Sequence, residues 1–244
     1  TWATITVHAL DQYNNLVTSE QRDVTLVPSK GSVSTGGIIH VINGVGSVAV
    51  RHTIAETISL SLQDSQSTGL DVSSTALLSF TPASAVRVAL EANVLQGTVD
   101  GALSVGLRAY DEFNNFASSS SPQVTVTVSA PNGNVFQPDG AIRTVTNGYV
   151  THGIESHKAQ SVVVGLSDSS GASLDVSSTV TLVYVAGAPT KVVLTAPASG
   201  TTDTPVTATL TAKDQYDNDA TSATSSFTIQ ASGTGQVANN GAVT

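Results

Sequence analysis

The sequence of 244 residues has no cysteine and no methionine. A disulfide framework is therefore excluded, together with thiolate metal sites, cysteine nucleophiles and the side chains most easily oxidised. Charge is scarce too. Only 11% of residues are charged, with 18 acidic against 9 basic and a formal net charge of −9. Without a basic cluster, nucleic acid and anionic lipid lack their electrostatic attraction. No apolar run approaches the ~20 residues of a membrane-spanning helix, so no membrane insertion is expected of this segment. Aromatic residues amount to 5%, few for a sugar-stacking platform. No stretch shows helical periodicity. What remains is Ser, Thr, Val, Ala and Gly, with β-branched residues alternating in strand-length runs that argue against disorder.

Against this plain composition one phrase recurs. It reads Asp-Gln-Tyr-Asn-Asn at 11–15, Asp-Glu-Phe-Asn-Asn at 111–115 and Asp-Gln-Tyr-Asp-Asn at 214–218, with offsets of 100 and 103 residues. A second phrase, Leu-Asp-Val-Ser-Ser-Thr, stands at 70–75 and 174–179, offset by 104. A period near 100 residues is too long for a solenoid and suits one β-sandwich per repeat, each with its own core. The expected domains are 1–84, 85–187 and 188–244. Only the middle repeat reads as complete, so the sequence is expected to be a segment of a longer chain.

Strict alternation at 3–10, 102–110 and 205–213 runs into each copy of the phrase and predicts a strand with one buried face. In the middle repeat that face carries Leu103, Val105, Leu107 and Ala109. Further strands are expected at 124–128, 141–145, 149–153, 161–166 and 176–185. Asn147-Gly148, matched by Asn43-Gly44, predicts a hairpin, because both residues accept positive φ. The connections at 81–85 and 186–190 are short and contain proline, which restricts the swing of one repeat against the next. Arg87 and Lys191 occupy equivalent places just past these connections and are expected to pair with an acid of the preceding repeat.

Seven or so short strands per repeat describe an immunoglobulin-like sandwich. The order of features goes further. An apolar strand ending in Asp-x-aromatic-x-Asn, a later Asn-Gly turn, and a short Gly/Pro connection into Thr-Lys-Val-Val-Leu at 190–194 resembles bacterial Ig-like tandem repeats of the invasin, intimin and large surface adhesin type. Members of that family usually carry Gly where this chain has Asn14, Asn114 and Asp217; Asn and Asp also tolerate the left-handed conformation. The resemblance implies an all-β chain of tandem Ig-like sandwich domains on short linkers, an elongated array displayed at the cell surface.

Two readings compete for the acidic turns. In the first, Asp11, Asp111 and Asp214 hydrogen-bond their own turns, Tyr13, Phe113 and Tyr216 cover one end of the core, and the Asn pairs supply unusual backbone angles. In the second, carboxylate and amide oxygens bind calcium, and the richest set is Asp214, Asp217 and Asp219. Asp64 with Asp71, and Asp168 with Asp175, form a second repeated acidic pair; the resemblance implies that calcium at such edges can stiffen an array. The histidines (His8, His40, His52, His152, His157) do not recur at equivalent positions, which disfavours zinc. No Gly-x-Ser-x-Gly elbow and no phosphate-binding glycine loop occurs, so the chain does not read as an enzyme. The four lysines do not repeat with a matched acid as an isopeptide crosslink would require. No Asn-x-Ser/Thr sequon is present, while Ser and Thr leave O-glycosylation open.

The composition and repeats fit a non-enzymatic extracellular stalk or spacer in a large adhesin. Its partners would be the neighbouring repeats of the same chain, with other copies of itself or a host ligand engaged through regions outside this segment. Two alternatives remain open at this stage: a subunit of an ordered surface layer, sheath or filament, and a carbohydrate-binding module.

Overall fold

In the computed structural model, which describes residues 2–136, 140–232, 235–238 and 242–243, every regular element beyond single turns is a strand. In chain order these are β1 Ala3–His8, β2 Val24–Pro28, β3 Ser32–Val33, β4 Ile38–Ile39, β5 Val45–Arg51, β6 Thr57–Gln63 and β7 Thr75–Ser79. Next come β8 Arg87–Glu91, β9 Gln96–Thr98, β10 Leu103–Tyr110, β11 Gln123–Ser129, β12 Val135–Phe136, β13 Ala141–Thr144, β14 Tyr149–Ser156, β15 Ser161–Asp168 and β16 Val180–Val185. The last are β17 Lys191–Thr195, β18 Thr209–Lys213, β19 Phe227–Thr228 and β20 Ala242–Val243. The chain divides into two compact units, Thr1–Arg87 with Ala109–Ser120, and Val88–Arg108 with Ser121–Thr244.

The first unit holds two sheets, β1-β5-β3 and β4-β2-β6-β7. Their inward residues meet in one core of Val24, Leu26, Ile39, Val41, Val48, Val50, Ile58 and Leu60. The second unit repeats the plan with β12-β14-β10-β8 and β13-β11-β15-β16-β9; β12-β14-β10 and β13-β11-β15-β16 are antiparallel, and β9 lies parallel to β16. The alternation read at 103–109 is realised: Leu103, Val105, Leu107 and Ala109 are all buried. Each such aliphatic side chain removed from water contributes about 1.5–3 kcal/mol, so register is fixed by which face is greasy. In the same unit β17 pairs with β18, Lys191 opposite Lys213 and Thr195 opposite Thr209. The architecture is that of Ig-like β-sandwiches.

Three expectations shift in the structure, the first being the strand expected at 205–213, which starts only at Thr209 and leaves Val206 exposed. The Asn-Gly turns have the local geometry anticipated for them, with Asn43 at φ 52°, Gly44 at 80°, Asn147 at 50° and Gly148 at 79°. Asn43-Gly44 closes a single antiparallel bridge between Ile42 and Val45, whereas Asn147-Gly148 closes no two-strand ladder. β13 pairs with β11 while β14 pairs with β10, so the turn carries the chain from one sheet to the other. The strand expected at 176–185 starts only at Val180. Asp175 accepts the Ser177 N–H in a side-chain turn, and its own carbonyl accepts the Val88 N–H, which keeps this segment out of the ladder.

One core position differs in kind between repeats. Ile39 and Val48 are buried in the first unit, and the residues 104 further on are Arg143 and His152. Arg143 Nε donates to His152 Nδ1 at 3.0 Å, and the buried His152 Nε2 has no partner. Burial first, and the Arg143 charge second, hold the His152 pKa below its ordinary value of 6.5. The native state therefore binds fewer protons here than the unfolded chain. Stability from this group is present above pH 6.5 and is lost as pH falls below it. Replacing the pair with the aliphatic residues of the first repeat, Arg143→Ile with His152→Val, should flatten the fall in denaturant midpoint between pH 7 and pH 5. An unchanged slope in urea melts would show that other groups carry it.

Candidate functional site

The recurrent phrase builds the same turn three times. The first carboxylate oxygen, Oδ1, accepts two backbone N–H groups: Tyr13 and Asn15 on Asp11 at 2.8 and 2.9 Å, Phe113 and Asn115 on Asp111 at 2.9 and 2.8 Å, Tyr216 and Asn218 on Asp214 at 2.8 and 2.9 Å. A backbone bond from the Asp N–H to the carbonyl of the final Asn closes each loop, at 2.9, 3.0 and 3.0 Å. The fourth residue is left-handed in all three, Asn14 at φ 65°, Asn114 at 66° and Asp217 at 68°. Of each final pair only this residue has positive φ; the last Asn serves another purpose.

That purpose shows in the second and third copies, where the turn reaches beyond itself. Asn115 Nδ2 donates to the Thr53 carbonyl at 2.8 Å while its Oδ1 accepts the Ala55 N–H at 2.9 Å. The remaining Nδ2 hydrogen is held by Asp111, and Asp111 Oδ2 also accepts the Ala83 N–H of the connecting segment at 3.0 Å. The third copy repeats this bond for bond. Asn218 Nδ2 donates to His157 O at 3.0 Å, Asn218 Oδ1 accepts from Ala159 N–H at 3.0 Å, and Asp214 Oδ2 accepts from Gly187 N–H at 3.0 Å. Residues 53, 55 and 83 are each 104 positions before 157, 159 and 187. One Asp–Asn pair thus fastens its turn to a loop and to the connection of the preceding repeat, through backbone groups alone.

Burial makes these bonds count. Asp111, Asp214 and Asn218 are buried, whereas Asp11 in the first copy is exposed. For Asp111 and Asp214, burial acts first and pushes the carboxyl up. The hydrogen bonds it accepts, from the side chain of Asn115 or Asn218 above all, outweigh that and hold the group below its ordinary range. Both carboxylates are therefore charged at neutral pH, where a charge-assisted bond is stronger than a neutral one.

The aromatic residues do not plug the core. Tyr13 is 75% exposed. Phe113 lies 6.0 Å beneath the Arg51 guanidinium, and Tyr216 stacks on His157 at 3.9 Å, with Phe136 at 4.1 Å on that same ring. In the later copies the aromatic thus packs beside the loop that the clamp holds. Arg87 and Lys191 also differ from expectation. Arg87 covers the Tyr110 ring and donates to Asn114, and Lys191 pairs with Asp217. Both brace the turn of their own repeat, because the left-handed residue turns its side chain toward the strand that follows the connection.

The carboxylates grouped as a calcium candidate point to separate partners. Asp214 is filled by the donors above, Asp217 pairs with Lys191, and Asp219 pairs with Lys213. Asp64 accepts from Thr68 and Gly69, Asp168 from Ser170 and Leu174, and Asp71 from Ser73, each inside its own turn. Among the described residues no three acidic or histidine side chains converge as a metal site would need. Sequence reasoning missed the loops at 53–55 and 157–159. Thr-Ile-Ala and His-Lys-Ala share little, and the clamp touches only their main chain. The available signal was the last Asn, identical in all three copies while its neighbours vary.

Asn115→Ala or Asn218→Ala should lower stability by about 1–3 kcal/mol in urea unfolding, since each removes two bonds to a neighbouring loop and strands part of a buried carboxylate. Asn15→Ala, whose side chain bonds only within its turn, should cost distinctly less; equal costs would mean that the contacts beyond the turn contribute nothing. In a thermal melt, calcium or a chelator should leave the transition unmoved. A midpoint rising with free calcium would instead assign Asp217 and Asp219 to an ion.

No family model and no curated protein sequence matches the chain. Solved structures do. The chain is similar to the Escherichia coli adhesin FdeC, with a TM-score of 0.51 and 14% identity over 88% of this chain and 69% of that one. It is also similar to Yersinia pseudotuberculosis InvD, at 0.49 and 16% identity over 88% and 66%. A third is invasin, described as a bacterial integrin-binding protein, at 0.43 and 15% identity over 90% of this chain and 44% of that one. At 14% identity the likeness to FdeC is one of fold alone, an all-β chain of Ig-like sandwich architecture.

Proposed function

We propose that the chain is a non-enzymatic, extracellular spacer of tandem Ig-like domains within a cell-surface adhesin. Its repeats are 1–84, 85–187 and 188–244, and its work is that of a spacer. One observation carries this reading: the Asp–Asn clamp occurs twice with the same atoms bonded to the same backbone positions of the preceding repeat. Each copy adds to the five-residue linker two bonds to a loop and a third to the linker itself. The acidic surface, with a formal charge of −9, suits a stalk that must stay solvated. The fold-level likeness to FdeC supports the same setting.

Small-angle scattering tests the reading. A compact particle of this length would have a radius of gyration of about 18 Å. The protein should be monomeric and well above that value, and the double variant Asn115→Ala/Asn218→Ala should broaden its distance distribution toward that of jointed beads. A compact wild-type particle, or a jointed one, would sink the proposal.

A further inference from the structure

We propose that the outer face of the second repeat carries a binding site for a single neutral sugar ring, with Tyr149 as its stacking surface. The site is a cavity of about 440 Å³ bordered by Glu91, Asn93, Ser104, Gly106, Tyr149 and Thr151, a size common among small-molecule sites. It lies on β10 and β14, the two inner strands of their sheet, with β8 alongside. Gly106 shapes it. A Cβ at that position would come within 2.9 Å of the Tyr149 hydroxyl oxygen and 3.0 Å of its Cε2, so the phenol end of the ring rests directly on the strand. The rest of the side chain stays open, 43% exposed.

A glycine inside a strand forgoes side-chain packing and commonly marks a close approach. The first repeat keeps the same register without the ring: Thr6 opposite Ser47 and His8 opposite Val45 stand where Gly106 faces Thr151 and Arg108 faces Tyr149. The sandwich therefore does not require the Gly–Tyr pair. Around the ring the polar groups are unspent. Among the described residues, the side chains of Asn93, Ser104 and Thr151 and the Tyr149 hydroxyl make no hydrogen bond to the protein. The charges at the edge are already matched, Glu91 with Arg108 at 3.3 Å, and the Arg108 guanidinium stands 5.5 Å from the Tyr149 centroid. A charged ligand finds no opposite charge left over, and a wholly apolar one would strand the rim's donors and acceptors. A pyranose supplies both complements, a face of C–H groups for the ring and hydroxyls for Asn93, Ser104 and Thr151. With aromatics at 5% of the sequence there is no extended platform, and the site suits one sugar ring.

Saturation-transfer NMR on the intact chain tests this, with the methyl glycosides of glucose, galactose, mannose and N-acetylglucosamine as probes and that of N-acetylneuraminic acid as the anionic control. At least one neutral probe should receive transfer at its ring C–H protons and bind at least about tenfold more tightly than the control. Its amide shift changes should centre on 91–94, 104–106 and 149–151. Gly106→Thr with Tyr149→Val installs the residues of the first repeat and should abolish transfer while leaving the thermal transition in place. Asn93→Ala, at an exposed position outside the strands, should weaken binding and decides the matter if the double variant does not fold. Absence of transfer to every neutral probe, equal or tighter binding of the control, shifts centred elsewhere, or unchanged binding by the folded double variant would each overturn the proposal.

Discussion

A carboxylate taken out of water must be surrounded by donors, and the joints between repeats are arranged around that requirement. Asp111 and Asp214 are buried, and a bare charge in such a place would be costly. The chain supplies donors from three directions: the turn's own N–H groups, the side chain of the last Asn, and an N–H from the connecting segment. The turn is thereby tied to the strand before it and to the repeat before that. The left-handed residue, the position of the connection and the orientation of the Asn amide all follow from satisfying one anion.

The sandwich itself asks for less. Its two units repeat an ordinary solution, two sheets with alternating inward residues, and tolerate exchanges as different as Ile39 and Val48 for Arg143 and His152. Such tolerance is possible because the Arg143 and His152 side chains answer one another. The residual strain is the unpartnered His152 Nε2, a local cost in an otherwise apolar core. The core sets the fold, and the turns set how one fold is attached to the next.

Much of this was legible in the sequence. The alternation at 103–109 placed the β10 core face residue by residue. The resemblance to bacterial Ig-like repeats agrees with the fold-level likeness to FdeC. The local turn was readable too, because Asp, Asn and positive φ are chemically linked. Its outward reach was not. The clamp contacts carbonyl and amide groups of 53–55 and 157–159, and main-chain groups leave no mark in a side-chain alphabet. Asn147-Gly148 misled for a related reason: φ > 0 is a local property, whereas the sheet a strand joins is decided by distant partners.

Because the clamp is blind to side chains, it imposes almost no sequence agreement between neighbours. Thr-Ile-Ala and His-Lys-Ala are held by identical bonds. The bonds constrain the loop's backbone path and the identity of the Asp and the last Asn, and leave the side chains of the loop free to differ.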